Sequence, residues 1–395
     1  MNTPQRDKFL MIVVAALVIL GMVMVQSASG PVATEKTGDA FFYIKRQSVG
    51  LLVGLTGCFA MAWLPQGMLR RYVWVFYGVA IVGLIAVFIP GIQHKANGAA
   101  RWVGAGGIHF QPSEFAKIAL ALVMADFLDK NAPRLHDIKN VLWKAMVIPA
   151  PVMVLVLMEP DFGTTVLLAL LTMLLLYVAG LSSRWVAGVG VAGLAAAVPT
   201  VLMVDYRRER VFGFLDIWAN ESGSAYQIIQ SLIAFQNGGL IGQGLAESQA
   251  KHHFLPESWT DFIASVLAEE LGLLGVLALI TLYGLVVWRG LIIAREASTL
   301  FGTLLASSLT LLLGLQAFFN LGVAMGMLPP KGLVLPFMSY GPSALMIHLI
   351  TVGLLLNVSA NAAPDDVKGF KVAAVWSKEG GGKHGKPRAE LGVSP

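Results

Sequence analysis

The chain has 395 residues, 56% of them hydrophobic and only 13% charged, with a mean hydropathy of +0.71. A soluble domain carries about 25% charged residues, so a water-soluble globule is excluded and an integral membrane protein is expected. The formal charge of +5 arises from basic residues scattered over loops, which fits membrane topology and offers no nucleic-acid surface.

About 20 apolar residues span a bilayer as a helix. Ten apolar stretches stand in the chain: 9–28, 47–64, 73–91, 112–128, 141–158, 162–181, 185–204, 260–288, 299–327 and 337–360. The first exceeds the roughly 7–15-residue core of a signal peptide and is read as a retained helix. The stretch 47–64 is short, 112–128 is interrupted by Lys117 and Asp126, and 141–158 contains Pro149 and Pro151. With the N-terminus inside, the inner segments hold more Lys and Arg than the outer ones, and both termini fall on the cytoplasmic side. Residues 205–259 then form one long outer loop between spans seven and eight, and long structured loops are usually functional. The tail, 361–395, has too few apolar residues to fold alone. The expected fold class is an all-α membrane protein of about ten transmembrane helices, with a membrane domain over 1–360 and a disordered cytoplasmic tail. The lone Cys58 leaves no disulfide framework or cysteine metal site within the chain.

An ionised side chain in hydrocarbon costs about 2.5–3.5 kcal/mol, so charges beside these spans need a reason. FQPSEFAK (110–117) opens span four and sets Glu114 and Lys117 three apart, on one helix face. They either neutralise each other or serve a ligand. EPDFGTT (159–165) puts Asp161 where a helix N-cap belongs. YRRERV (206–211) sets Arg210 among three arginines, either as interfacial anchors or to bind an anionic headgroup. Further along the loop, Gln227, Gln230 and Ser231 share a helical face. FLPESWTDFIASVLAEELG (254–272) carries Glu257, Asp261, Glu269 and Glu270, with Asp261 starting span eight. LPPKGLVLPFMSYGPSAL (328–345) contains Lys331 and the hydroxyls of Ser339, Tyr340 and Ser343. Its four prolines impose irregular backbone, tolerated at membrane depth only where it is buried in protein or lines a cavity. The runs 110–117, 159–165 and 328–345 and Asp261 fall on the outer side, with Glu269 and Glu270 further in. This points to an outward-facing cavity for a polar, anionic ligand, with Glu114, Lys117, Arg101, Arg210, Gln227, Ser231, Lys331, Ser339, Tyr340 and Ser343 as the candidate binding residues.

These runs, with NGAARW (97–102) and YQIIQSLIAFQNGGLIGQGL (226–245), resemble in order and spacing the SEDS family (shape, elongation, division and sporulation) over most of residues 9–360. KGLVLP before SYG, and the spacing from GQGL to FLPE, are nearer to its division branch than to its elongation branch. The resemblance implies a ten-helix peptidoglycan glycosyltransferase that polymerises lipid II, a disaccharide-pentapeptide on undecaprenyl pyrophosphate, in the bacterial inner membrane. It implies work with a class B penicillin-binding protein (an FtsI-type transpeptidase) and other division proteins. It assigns the catalytic aspartate to Asp261 and the paired Glu and Lys to Glu114 and Lys117. Two positions depart from the family pattern: SYGPSA stands where SYGGSS is usual, and Trp259 replaces a His.

For such chemistry a carboxylate takes a proton from the attacking sugar hydroxyl, typically worth about 10²–10⁴-fold. Positive charge must meet the leaving pyrophosphate, from Lys117, Arg101, Arg210 or a divalent cation such as Mg or Mn. The sequence itself requires no cofactor. Rival readings are a flippase for the same lipid, an elongation-type polymerase, and a scaffold that recruits division proteins. The mark of a flippase is a polar path to the inner side, with Asp126, His348, Glu269 and Glu270 as its inner candidates. A partner helix would need a small-residue face such as GVGVAGLAAA (188–197).

Overall fold

The computed structural model describes residues 6–362 apart from 97–98, 106–107, 135–140, 221–222 and 224. The tail expected to be disordered thus lies, but for its first two residues, outside the described residues. The apolar stretches form helices, and at several of them sequence signals mark the start or the stop. Helix α1 (Lys8–Thr37) is capped by Asp7, whose carboxylate accepts from the Leu10 amide, and stops at left-handed Gly38. Then follow α2 (Phe42–Trp63), α3 (Gln66–Arg71) and α4 (Val73–Ala86). Helix α5 (Pro112–Asn131) takes Pro112 in its first turn. The proline-bearing stretch splits into α6 (Trp143–Val147) and α7 (Ala150–Met158). Next are α8 (Phe162–Val178), α9 (Ser183–Leu202), α10 (Asp205–Leu215) and α11 (Tyr226–Gly238). The last three are α12 (Ile263–Glu296), α13 (Leu300–Ala324) and α14 (Pro342–Ala360).

Among the described residues, five helices, α1, α9, α12, α13 and α14, are long and apolar enough to cross a membrane, and α4, α6–α7 and α8 are shorter apolar helices. Helices α5, α13 and α14 are the most deeply buried, and α5 packs on α4, α8, α13 and α14. By contrast, α9 buries none of its residues.

The fold is not purely helical. Three strands, β1 (Gln93–Ala96), β2 (Ala99–Ala105) and β3 (Ile108–Phe110), form an antiparallel sheet. Backbone ladders supply its order, since its strands carry no long apolar alternation, and it delivers Arg101 and the start of α5.

Within 205–259 the described residues include α10, α11 and a strap that meets α12. Helix α12 breaks at Gly272, with φ 64°. The freed carbonyls of Glu269 and Glu270 accept from the amides of Gln243 and Gly244, while the amides of Leu273 and Leu274 donate to Gly239 and Leu240. A strap of turns over 239–244 thus satisfies the interrupted ladder, as buried irregular backbone requires. Glu269 and Glu270 serve this junction. Glu269 accepts from Ser248 Oγ, the Ala250 amide and Asn237 Nδ2, and Glu270 accepts from Ser27 Oγ and pairs with Lys251 at 3.1 Å.

Candidate functional site

Asp261 sits in the turn just before α12, held from two sides through backbone. Asn320 of α13 donates from Nδ2 to the carbonyls of Asp261 (2.8 Å) and Leu333 (2.7 Å). The 328–341 segment closes over the same turn. Ser339 Oγ donates to the Thr260 carbonyl and accepts from the Leu335 amide, and the Tyr340 amide donates to the Trp259 carbonyl. Among the described residues, no hydrogen bond engages the Asp261 carboxylate, only its carbonyl.

Two basic side chains, Arg101 and Arg210, act on the carboxylate, and Lys331 lies on the adjoining 328–341 segment. Arg101 of β2 donates from Nε and Nη2 to the carbonyls of Glu159 and Pro160, which pins it to the turn between α7 and α8. Its Nη1 and Asp261 Oδ2 flank Gly332: a Cβ built there would stand 3.6 Å from the first and 3.4 Å from the second. Arg210 of α10 donates to the Pro330 carbonyl. Lys331 extends beside the rings of Phe319 (4.8 Å) and Phe162 (6.0 Å), and burial lowers its pKa. Asp161 caps α8 through the amide and hydroxyl of Thr164, as its sequence position suggested.

Burial pushes the Asp261 carboxyl up to about 7. The nearby charges of Glu257 and Asp161 act in the same direction, and Arg101 and Arg210 oppose them. A carboxylate poised near neutrality is suited to general base catalysis. In the same neighbourhood, burial raises Glu159 to about 8, with Asp161 reinforcing and Arg101 opposing. Both of its oxygens are buried without a hydrogen-bond partner.

The sequence-expected residues divide. Asp261, Arg101 and Arg210 converge, and Lys331 extends beside Phe319 and Phe162. Glu114 and Lys117 instead form a buried pair at 2.7 Å, 6% and 1% exposed, inside the helix bundle. His348 Nε2 of α14 lies 4.0 Å from Glu114 Oε2. In this structure the pair is enclosed and offers no surface to a ligand. Ser231 is fully buried, bonded to Ser265 Oγ and the Ala324 carbonyl, so it joins α11 to α12 and α13. Gln227, one turn earlier, is half-buried. Ser339 is committed to backbone, and Ser343 Oγ donates to the His109 carbonyl. Tyr340 packs its ring against Tyr43 at 4.9 Å. These hydroxyls build the site's wall: irregular backbone needs side-chain partners, and the serines supply them. The sequence reading missed Gln47 and Asn320, two buried amides inside apolar helices. A polar amide at a buried helix position was the available signal.

Among the described residues, no group of three or more His, Cys, Asp or Glu is placed to hold a metal ion. Two concavities, of about 640 and 400 Å³, lie elsewhere, against α1 and α10, and neither is lined by Asp261.

The model of the cell cycle protein family that groups FtsW, RodA and SpoVE matches residues 7–363. The chain belongs to this family. It is 41% identical over 353 residues to a probable peptidoglycan glycosyltransferase FtsW of Geobacter metallireducens, covering 89% of this chain and 94% of that one. A Geobacter sulfurreducens protein of the same description is 41% identical over 358 residues, covering 89% and 95%. Among solved structures, a chain of a peptidoglycan synthase complex coordinating polymerization and crosslinking superposes with a TM-score of 0.74 at 31% identity, covering 90% of this chain and 97% of that one. The rod shape determining protein RodA of Thermus thermophilus gives 0.67 at 30% identity, covering 91% and 98%.

Proposed function

We propose that this membrane protein polymerises lipid II into β-1,4-linked glycan strands for the division septum. It is a peptidoglycan glycosyltransferase of the division type. The observation that carries the mechanism is the convergence of Arg101 and Arg210 on one carboxylate, Asp261, whose pKa stands near neutrality.

The acceptor sugar's hydroxyl attacks the anomeric carbon of the donor. A new C–O bond forms as the bond to the lipid pyrophosphate breaks, so a single displacement turns an α-linked donor into a β-linked product. Asp261 takes the hydroxyl proton. The leaving pyrophosphate carries the bonding electron pair away, and Arg101, Arg210 and Lys331 supply the opposing positive charge. Substrate contact in this reading belongs to those three side chains and the 328–341 segment.

Ten spans, α1, α2, α4, α5, α6–α7, α8, α9, α12, α13 and α14, carry the chain through the cytoplasmic membrane. Its Lys and Arg distribution favours both termini in the cytoplasm and the Asp261 end outside. Residues 205–259 are then the long outer loop, whose described residues include α10, α11 and the strap. A class B penicillin-binding protein crosslinks the product. A flippase needs a polar path, and two of the inner candidates are otherwise engaged: Asp126 pairs with Arg70 and Lys130, and Glu270 with Lys251.

The test is polymerisation of purified lipid II in nanodiscs by the chain with its penicillin-binding protein. The wild type should give a ladder of glycan strands on a gel and Asp261→Asn none. No polymer from the wild-type pair, or equal polymer from both, would overturn the assignment.

A further inference from the structure

Helix α2 lies against α14 at backbone distance. A Cβ on Gly50 would stand 2.7 Å from Pro342 Cα, and one on Gly353 would stand 2.4 Å from the Cys58 carbonyl oxygen. Such contacts leave the two helices no room to slide, so whatever α2 presents at this end is held at fixed height against α14. It presents Gln47, 1% exposed. The two ends of this amide grip one short backbone segment. Nε2 donates to the Ser339 carbonyl at 3.1 Å, and Oε1 accepts from the Gly341 amide at 3.0 Å. One turn earlier, the Tyr43 ring rests on Trp259 at 5.8 Å and on Tyr340 at 4.9 Å.

The gripped segment is the one that holds the catalytic turn. Ser339 bonds Thr260 through its hydroxyl, and Tyr340 bonds Trp259 through its amide. Asp261 is the next residue. The path from α2 to the carboxylate therefore consists of one side-chain clamp, two hydrogen bonds and one peptide. On the far side, Asn320 holds Asp261 by its own carbonyl. Gln47 and Asn320 are the two buried amides between which the turn is suspended.

We infer that Gln47 is a positioning residue for the glycosyl transfer: its bidentate grip on Ser339 and Gly341 sets where the Asp261 carboxylate stands. The inference rests on the polymerase reading above. A displacement of about 1 Å in a reacting group can lower a rate about 10²-fold, and no hydrogen bond in the described structure duplicates this grip. Gln47 touches no reacting atom, so its loss slows the chemical step and leaves substrate affinity alone. A loosened turn also admits water to Asp261. Its pKa then falls, because burial is the main cause of its elevation, with Glu257, Asp161, Arg101 and Arg210 as the charges facing it.

The experiment compares Gln47→Leu, Gln47→Glu and Gln47→Asn with the wild type, each purified with its penicillin-binding protein and assayed on lipid II across pH. Gln47→Leu removes both hydrogen bonds, Gln47→Glu sets a carboxylate against the Ser339 carbonyl, and Gln47→Asn falls one methylene short. All three are expected to lower kcat, by about 10²-fold for Gln47→Leu, with KM unchanged and the acidic limb of the pH profile moved to lower pH. Ser339→Ala should add little to Gln47→Leu, because both act through one segment. A variant that merely folds poorly lowers the whole profile without moving its limb, and that result for all three would overturn the inference. So would wild-type kcat in Gln47→Leu while Asp261→Asn is inactive. A wild type that makes no polymer would fail the polymerase reading instead.

Discussion

Arg101 and Asp261 face each other across a bare Cα. The Gly332 position where a side chain would begin lies 3.6 Å from Arg101 Nη1 and 3.4 Å from Asp261 Oδ2. A methyl group just fits at those distances, while a branched side chain must displace one of the two groups or fill the space between them. Gly332→Ala should retain most polymerisation. Gly332→Val should lose about 10²-fold or more while eluting as a folded protein from size exclusion. Equal activity in both would show that the gap is not where reaction occurs.

The acidity of Asp261 sets a pH prediction with a defined sign. A general base works ionised, so activity should rise with pH through an apparent pKa of about 7. Removing the positive charge of Arg101 or Arg210 destabilises the carboxylate, and the limb should move to higher pH. Removing the negative charge in Glu257→Gln does the opposite, moving it lower. Initial rates on lipid II at a series of pH values test all three. Shifts in the reversed sense would mean that another group titrates.

Much of this was legible in the sequence because the relevant physics is local. Apolar runs gave the helices, Asp161 falls where a cap belongs, and Asp261 stands at the mouth of its span. What escaped depends on contacts between distant segments. The antiparallel sheet has strands too short for periodicity to show. Nothing near Gly272 announces that the strap from 239–244 will complete its ladder. The spacing of Glu114 and Lys117 showed that they can pair, but their enclosure by α4, α8, α13 and α14 is a tertiary fact. Ser231 and Ser339 read as ligand hydroxyls because the backbone groups they satisfy belong to other elements.

Enclosure of the Glu114–Lys117 pair makes it a stability experiment first. Breaking a buried pair from one side strands a charge and costs about 3–5 kcal/mol, whereas removing both charges together is often neutral. Lys117→Met should therefore lower the melting temperature in detergent sharply, and Glu114→Gln with Lys117→Met should recover most of the loss. Activity of the double variant then reports what else the pair does. Polymerisation at the wild-type rate would leave it a purely structural pair.

The break in α12 gives the last prediction. Gly272 has φ 64°, and a Cβ there would stand 2.4 Å from the Gly242 amide nitrogen and 2.6 Å from the Leu240 carbonyl oxygen. Gly242 meets the same junction from the strap, with φ 84° and a Cβ position 2.1 Å from the Glu270 carbonyl oxygen. Alanine at either site is both conformationally strained and in collision with backbone, together worth about 2–5 kcal/mol. Relief requires the strap to lift, which strands the carbonyls of Glu269 and Glu270 and the amides of Leu273 and Leu274. Lifting also draws Ser248 and Lys251 away from the two carboxylates they bond. Gly272→Ala and Gly242→Ala should each lower the melting temperature, and the double variant should lose less than the sum, because one displacement relieves both clashes. Strictly additive losses would show that the two glycines do not share this contact.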